Sequence, residues 1–324
     1  MGLLTPITLL AAAAAIGWLA GSLGAALCMP WLRCAGAAPL ARCRRVEWIA
    51  MLPLLGIVLG VAVLVIPALV KLAGLIDDHC LHHAGHLHFC FRHLPVVAPG
   101  ALITAVASLL IWPLIGVLRW ARVRWREAVE LAVIERLAPA GYRVVRTESA
   151  EPQAYMFGIV RPRIVLSSGL YRLLTPAERR AVLRHEIAHA RNGDAARRLG
   201  LGVLLAMHVP SLQKRLWEHW SDAAEERADD SVRARGDGLT LAGALLKIVR
   251  ANLHRPDPVS LTAAVASGSV ERRIRRLVGD AQDLHLRPQL EVGLIAIVLT
   301  LTAVLLSRHH ALETAAAWLL RLGG

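Results

Sequence analysis

A chain of 324 residues that is 56% hydrophobic, with mean hydropathy +0.49, is too apolar for a disordered polypeptide or a pair of ordinary soluble domains. Its net charge of +13 is carried by arginines gathered beside long uncharged runs. The excess is therefore topological, and no direct nucleic-acid binding is expected.

Thr5–Leu27 is the first of three apolar runs of 23 residues, each long enough to cross a bilayer core that needs about 20 helical residues. It has no basic n-region and Leu27 precedes Cys28, so it reads as a retained helix and not as a cleaved leader. Loop 28–47 follows, with Arg33, Arg42, Arg44 and Arg45 and the incidental cysteines Cys28, Cys34 and Cys43. Trp48–Val70 is the second span and Val96–Leu118 the third. Between them, loop 74–95 packs six of the 14 histidines into 15 residues: His79, His82, His83, His86, His88 and His93, framed by Cys80 and Cys90. Dense His/Cys tracts bind Zn, Cu or Ni by composition, so the loop is a candidate second metal site. A Cys80–Cys90 disulfide within a solvated surface loop is the competing reading.

Past the third span come Arg119, Arg122, Arg124 and Arg126, with Trp120 and Trp125 among them, as at a membrane interface. Arg126–Leu137 reads as a helix ended by Pro139-Ala140-Gly141. Tyr142–Thr147, Ala154–Val160 and Arg163–Ser168 read as short strands, with a turn at Arg161-Pro162. Thr175-Pro176-Ala177-Glu178 then sets Thr at N-cap, Pro at N1 and Glu at N3, a capping box that starts a helix ending at Asn192-Gly193. The apolar run Leu199–Val209 is too short to span. Ser211–Arg235, Leu239–Leu253 and Glu271–Val278 read as further helices, and Val292–Leu306, extended by Leu290 and Glu291, as a short fourth span. The arginine distribution places the N-terminus outside, loop 28–47 in the cytoplasm, loop 74–95 outside, residues 119–288 in the cytoplasm and the tail outside.

The capped helix carries His185-Glu186-Ile187-Ala188-His189. Residues four apart share a helix face, so both imidazoles can reach one ion, and Glu186 stands where a general base for hydrolysis belongs. Two histidines leave a catalytic zinc one protein ligand short. Glu225 is the best third candidate, in Glu225-Glu226-Arg227-Ala228-Asp229-Asp230 on a later helix. Asp229, four residues on, and Asp194, just past the motif helix, can each hold a ligating histidine by its other ring nitrogen. Glu226 is expected to be a solvated neighbour. His219, Arg227 and Arg272 are unranked candidates for the group that stabilises an oxyanion.

Phe157–Leu170, the helix opening Leu174–Glu178, His185–Asp194 and Glu225–Asp229 together resemble the membrane gluzincins. Two related families fit over roughly residues 140–280: the BlaR/MecR-type signal-transducing peptidases and the CAAX-prenyl/HtpX-type endopeptidases. The resemblance implies Zn2+ held by His185, His189 and Glu225, with Glu186 as general base and proteolysis in or near the membrane. It also implies a substrate backbone lying along Gly158–Val160 or Arg163–Leu166. HtpX-type enzymes place transmembrane helices between the two motifs, where only Leu199–Val209 occurs here. The BlaR/MecR plan of three spans, a zinc domain and a fourth span is followed, but without a drug-binding domain beyond it, so β-lactam sensing by that route is not expected.

The expectation is a mostly α membrane protein of the bacterial inner membrane. Residues 1–118 form a three-helix transmembrane region, 119–288 a cytoplasmic α+β zincin-like metallopeptidase domain, and 289–324 the fourth helix and tail. The leading function is a signalling protease that cleaves itself or a cytoplasmic regulator such as a transcriptional repressor, with the lipid bilayer and a homodimer partner as further contacts. The alternatives are a quality-control membrane protease, and a metal-responsive receptor whose zinc domain does no chemistry.

Overall fold

A computed structural model describes residues 4–32, 38–74, 107, 111, 113–122, 125, 144–158, 162–253 and 260–279. Helix 126–137, the fourth span and His79, Cys80, His82, His83, His86, His88, Cys90 and His93 lie outside them. So does most of the third span, apart from a helical stretch at 113–122.

Helix α1 (Leu4–Leu27) and helix α3 (Pro39–Leu72) are the two described helices long and apolar enough to cross a membrane. They pack through small residues. A Cβ added at Gly17 would stand 2.0 Å from the Gly56 carbonyl oxygen, and one at Gly60 would stand 2.3 Å from that of Ala13. Such seams let helix backbones approach where lipid leaves no hydrophobic drive between helices. The outward side chains Ile16, Leu23, Val58 and Ile66 are exposed and apolar, the surface a lipid-facing helix needs. Loop 28–47 requires correction, because the short helix α2 (Met29–Leu32) and the first turns of α3 occupy most of it. Pro39 opens α3 and good helix formers follow it, so the helix starts well before its apolar part.

Strands β1 (Val144–Thr147), β2 (Ala154–Phe157) and β3 (Arg163–Ser167) form a sheet of order β1-β3-β2. β3 runs parallel to β1, with Val144 opposite Ile164, and antiparallel to β2, with Tyr155 opposite Val165. Ile164, Val165 and Leu166 are all buried, so the richest β-forming run takes the central position. Gly158, at φ +86°, closes β2 in a conformation that suits glycine.

Ser167 caps α4 (Ser168–Leu173), and Thr175 with Glu178 forms the complete capping box of α5 (Pro176–Arg191). Gly193, at φ +66°, turns the chain into α6 (Asp194–Leu205). Helices α7 (Pro210–Arg233), α8 (Gly238–Leu253) and α9 (Ser260–Val278) complete the described domain. One core joins the sheet to α5, α8 and α9 through Ile164, Leu166, Leu170, Val182, Leu241 and Leu277. A second runs from Met29, Val46 and Ile49 to Leu201, Leu205, Leu216 and Trp220, so the apolar helices and α6–α7 share one buried interior.

Candidate metal centre

Helix α5 presents His185 and His189 one turn apart, with ring centroids separated by 4.7 Å and planes at 83°. Helix α7 brings Glu225 to them. Its Oε2 lies 3.3 Å from His185 Nε2 and its Oε1 lies 3.5 Å from His189 Nε2, while the two Nε2 atoms are 3.1 Å apart. A tetrahedral zinc with bonds near 2.0–2.1 Å sets its ligand atoms about 3.3 Å apart. Two neutral-capable imidazoles and one carboxylate, converging at that spacing, fit the ion in chemistry and in size.

Each histidine has a carboxylate on its far side. His189 Nδ1 donates to Asp194 Oδ2 at 2.7 Å, and Asp194 is itself buried at the first residue of α6 and paired with Arg227. His185 Nδ1 lies 2.9 Å from Asp229 Oδ1, a charge contact whose angle falls outside hydrogen-bond geometry. Burial alone would lower the pKa of both imidazoles. In the protein by itself the Asp194 and Glu225 carboxylates outweigh burial and raise that of His189 to about 9, and Asp229 and Glu225 raise that of His185. Glu225 is half-buried, which favours its neutral form. The two histidines and Arg273 overcome this and hold its carboxyl well below the usual range. Glu186 is buried, and burial raises its pKa against the opposing pull of His185 and His189. A carboxylate with raised proton affinity suits a general base.

Arg273 on α9 also meets the cluster, a residue that sequence reasoning did not single out. It donates to both oxygens of Asp229, Nε to Oδ2 at 2.7 Å and Nη2 to Oδ1 at 2.9 Å, and its Nη1 lies 3.0 Å from Glu225 Oε2. The only signal was a basic run, Arg272 to Arg276, complementary to the acidic run of α7. Charge runs name helices that attract one another, but not which residues meet.

Several expectations change here. Glu226 is not solvated: it is 3% exposed and paired with Arg42 at the start of α3. Arg227 is committed to Asp194, and Arg272 is exposed and bound to Asp222 Oδ2 at 3.0 Å. His219 lies beside Asp222 and Glu218 on α7, N-terminal to the ligand turn. Arg163–Leu166 belongs to the central strand, whose two edges are already paired, so it cannot add a substrate backbone. β2 is an edge strand of the described sheet, and Gly158 follows it directly.

A His/His/Glu triangle of two buried histidines and a half-buried glutamate, with a second, buried glutamate beside it, on helices packed against a small sheet, defines a metallohydrolase class of centre. Residues 121–302, more than half the chain, match peptidase family M48, and the chain belongs to that family. No curated protein and no solved structure matches it. Membership makes the chain a metalloprotease acting on proteins or peptides, in a family that is typically zinc-dependent. The two apolar helices accord with a membrane protein.

Proposed function

We propose that the chain is an integral-membrane zinc endopeptidase that transduces a signal by cleaving itself or a regulator on the peptidase side of the bilayer. His185, His189 and Glu225 hold the ion, and Asp229 and Asp194 fix the two imidazoles. The His185–His189–Glu225 triangle, with Glu186 buried beside it, is the observation that carries the hydrolytic reading. When bound, zinc supplies Lewis acidity toward the scissile carbonyl and the attacking water. Glu186 takes the proton of that water and returns it to the leaving amine. Gly158 and the free edge of β2 receive the substrate backbone as an added strand.

The signalling role is supported by what lies between the motifs. From His189 to Glu225 the chain contains α6, with 12 residues, and the first part of α7, and neither interrupts the domain with a membrane crossing. This is the plan of the signal-transducing peptidases. The His/Cys loop 74–95 is then the sensor, and the domain limits 1–118, 119–288 and 289–324 and the cytoplasmic orientation go with this proposal.

Glu186→Gln keeps the ligand set and removes the base, so zinc content is retained and cleavage is lost. Comparing new protein termini in membranes bearing the wild type or Glu186→Gln separates the roles. A single cleaved regulator, or the chain's own cleavage, supports signalling. Many membrane-protein fragments mean quality control, and identical termini refute the peptidase reading.

A further inference from the structure

The turn between α6 and α7 lies about 18 Å, the length of twelve helical residues, from the Asp194 end of α6. It is therefore remote from the metal centre. Its surroundings are the apolar helices. Trp18 Nε1 of α1 donates to the Met207 carbonyl at 2.9 Å, and His208 Nε2 lies 3.2 Å from the Ala50 carbonyl of α3. A Cβ at Gly116, in the helical stretch 113–122, would stand 2.1 Å from the Ala206 carbonyl. Trp18 lies nine residues inside the Leu27 end of the apolar stretch of α1, and Ala50 lies three residues past Glu47, after which α3 carries no charge until Lys71, so the turn meets both helices within their apolar parts.

Three further features agree. Leu199, Val203 and Val209 are exposed on the hairpin's outer side, and His208, the single polar side chain from Leu199 to Val209, is turned inward and buried. The backbone of the turn is largely satisfied from within. Met207 and His208 N–H groups bond the Leu204 and Leu205 carbonyls, the Val209 carbonyl accepts from Leu212 and Gln213, and Pro210 has no N–H to satisfy. Irregular backbone at bilayer depth requires such internal partners. Finally, Lys214 and Arg215 are exposed on the first turns of α7, about 7 Å beyond the tip, while α3 exposes Arg44 and Trp48 just before Ala50. An apolar tip bounded by basic and indole side chains is the pattern of a segment seated at a phospholipid surface.

We propose that the α6–α7 hairpin is a membrane wedge: residues 199–209 insert into the peptidase-side leaflet without crossing it, with Lys214 and Arg215 at the lipid phosphates. The wedge makes the bilayer a direct binding partner of the peptidase domain and fixes the height of the metal centre above it. It rests on α1 and α3 being membrane helices and not on the catalytic reading.

The test uses the full chain in nanodiscs of zwitterionic and anionic phospholipid, where both faces meet water. Val209→Cys and Val203→Cys are compared with Leu239→Cys, exposed on α8, and Val58→Cys, exposed in mid-span on α3. A water-soluble polyethylene-glycol maleimide is read as an added gel shift over the parent chain. Val209→Cys and Val203→Cys are expected to resist it as Val58→Cys does and to react only after denaturation; reaction as fast as at Leu239→Cys overturns the wedge. A spin label at either position adds a second readout that a misfolded variant cannot imitate. Contact with dissolved oxygen but not with a water-soluble nickel complex supports lipid. Shielding from both means a protein cover and refutes the proposal.

Discussion

Asp194 and Asp229 each meet a ring nitrogen of one imidazole on the side away from Glu225, Asp194 by a hydrogen bond and Asp229 by a 2.9 Å contact. Carboxylates in that position sharpen metal affinity by fixing tautomer and ring plane. Asp194→Asn and Asp229→Asn should each weaken zinc binding about 10–100-fold, measured by competition with a chromogenic chelator. Unchanged affinity in both variants would remove these residues from the site. Arg273 is a different case, since Asp229 is fully buried and depends on it for charge compensation. Arg273→Ala should cost roughly 3–5 kcal/mol of stability, the scale for breaking one side of a buried pair, seen as a lower melting temperature in detergent. The sequence shows His185 and His189, and likewise Glu225 and Asp229, four apart on a helix, and Asp194 just past one; the structure brings His185, His189 and Glu225 together. Arg273 was not legible, because it meets Asp229 across 44 positions of sequence and helical periodicity carries no information over that distance.

At the scale of single elements, α5 was read correctly from its first four residues, because a capping box is a local bargain between side chains and orphan N–H groups. Glu178 adds a tertiary contact, with Lys247 Nζ 2.8 Å away. Burial would raise the Glu178 pKa, but Lys247 and the Thr175 bonds prevail and lower it. Its contribution is thus complete above the unfolded value, near pH ~4.3, and is lost as pH falls through the lower folded value. Glu178→Gln should destabilise the domain by on the order of 1 kcal/mol at neutral pH, with the gap to wild type closing in acid. A gap that stayed constant down to low pH would contradict the ionic part of this contact. The strands were legible from Ile164, Val165 and Leu166, while their order was not: a β-branched run announces a strand but not its neighbours. The same limit left Gly158–Val160 and Arg163–Leu166 both open as the segment beside the substrate, of which the latter lies in the central strand.

For the whole molecule, the joint between the apolar helices and the peptidase domain matters most. Glu47 on α3 takes Arg197 Nε and Nη2, each at 2.9 Å, and also Trp220 Nε1 at 2.9 Å. Arg42 reaches Glu226, next to Glu225 of the His185–His189–Glu225 cluster. The apolar helix α3 and helix α7 are thereby held together at the level of the site. The α1–α3 seam supports that joint, and Gly17→Ala should disrupt it, because the new Cβ meets backbone that has no room to yield. A loss on the order of 1–3 kcal/mol, read as earlier thermal unfolding in detergent, is expected; an unchanged melting temperature would show that the helices separate freely.

What the sequence determined by itself was whatever short-range physics writes down: long apolar runs, the capped α5, and the His185–Glu186–His189 spacing that puts two imidazoles on one helix face. Tertiary structure alone decided the order of the strands, that Glu226 is buried against Arg42, that Arg273 braces Glu225 and Asp229, and where the Leu199–Val209 run lies. Those outcomes depend on packing between segments far apart in the chain, where many pairings of similar composition compete and only the assembled cores select one.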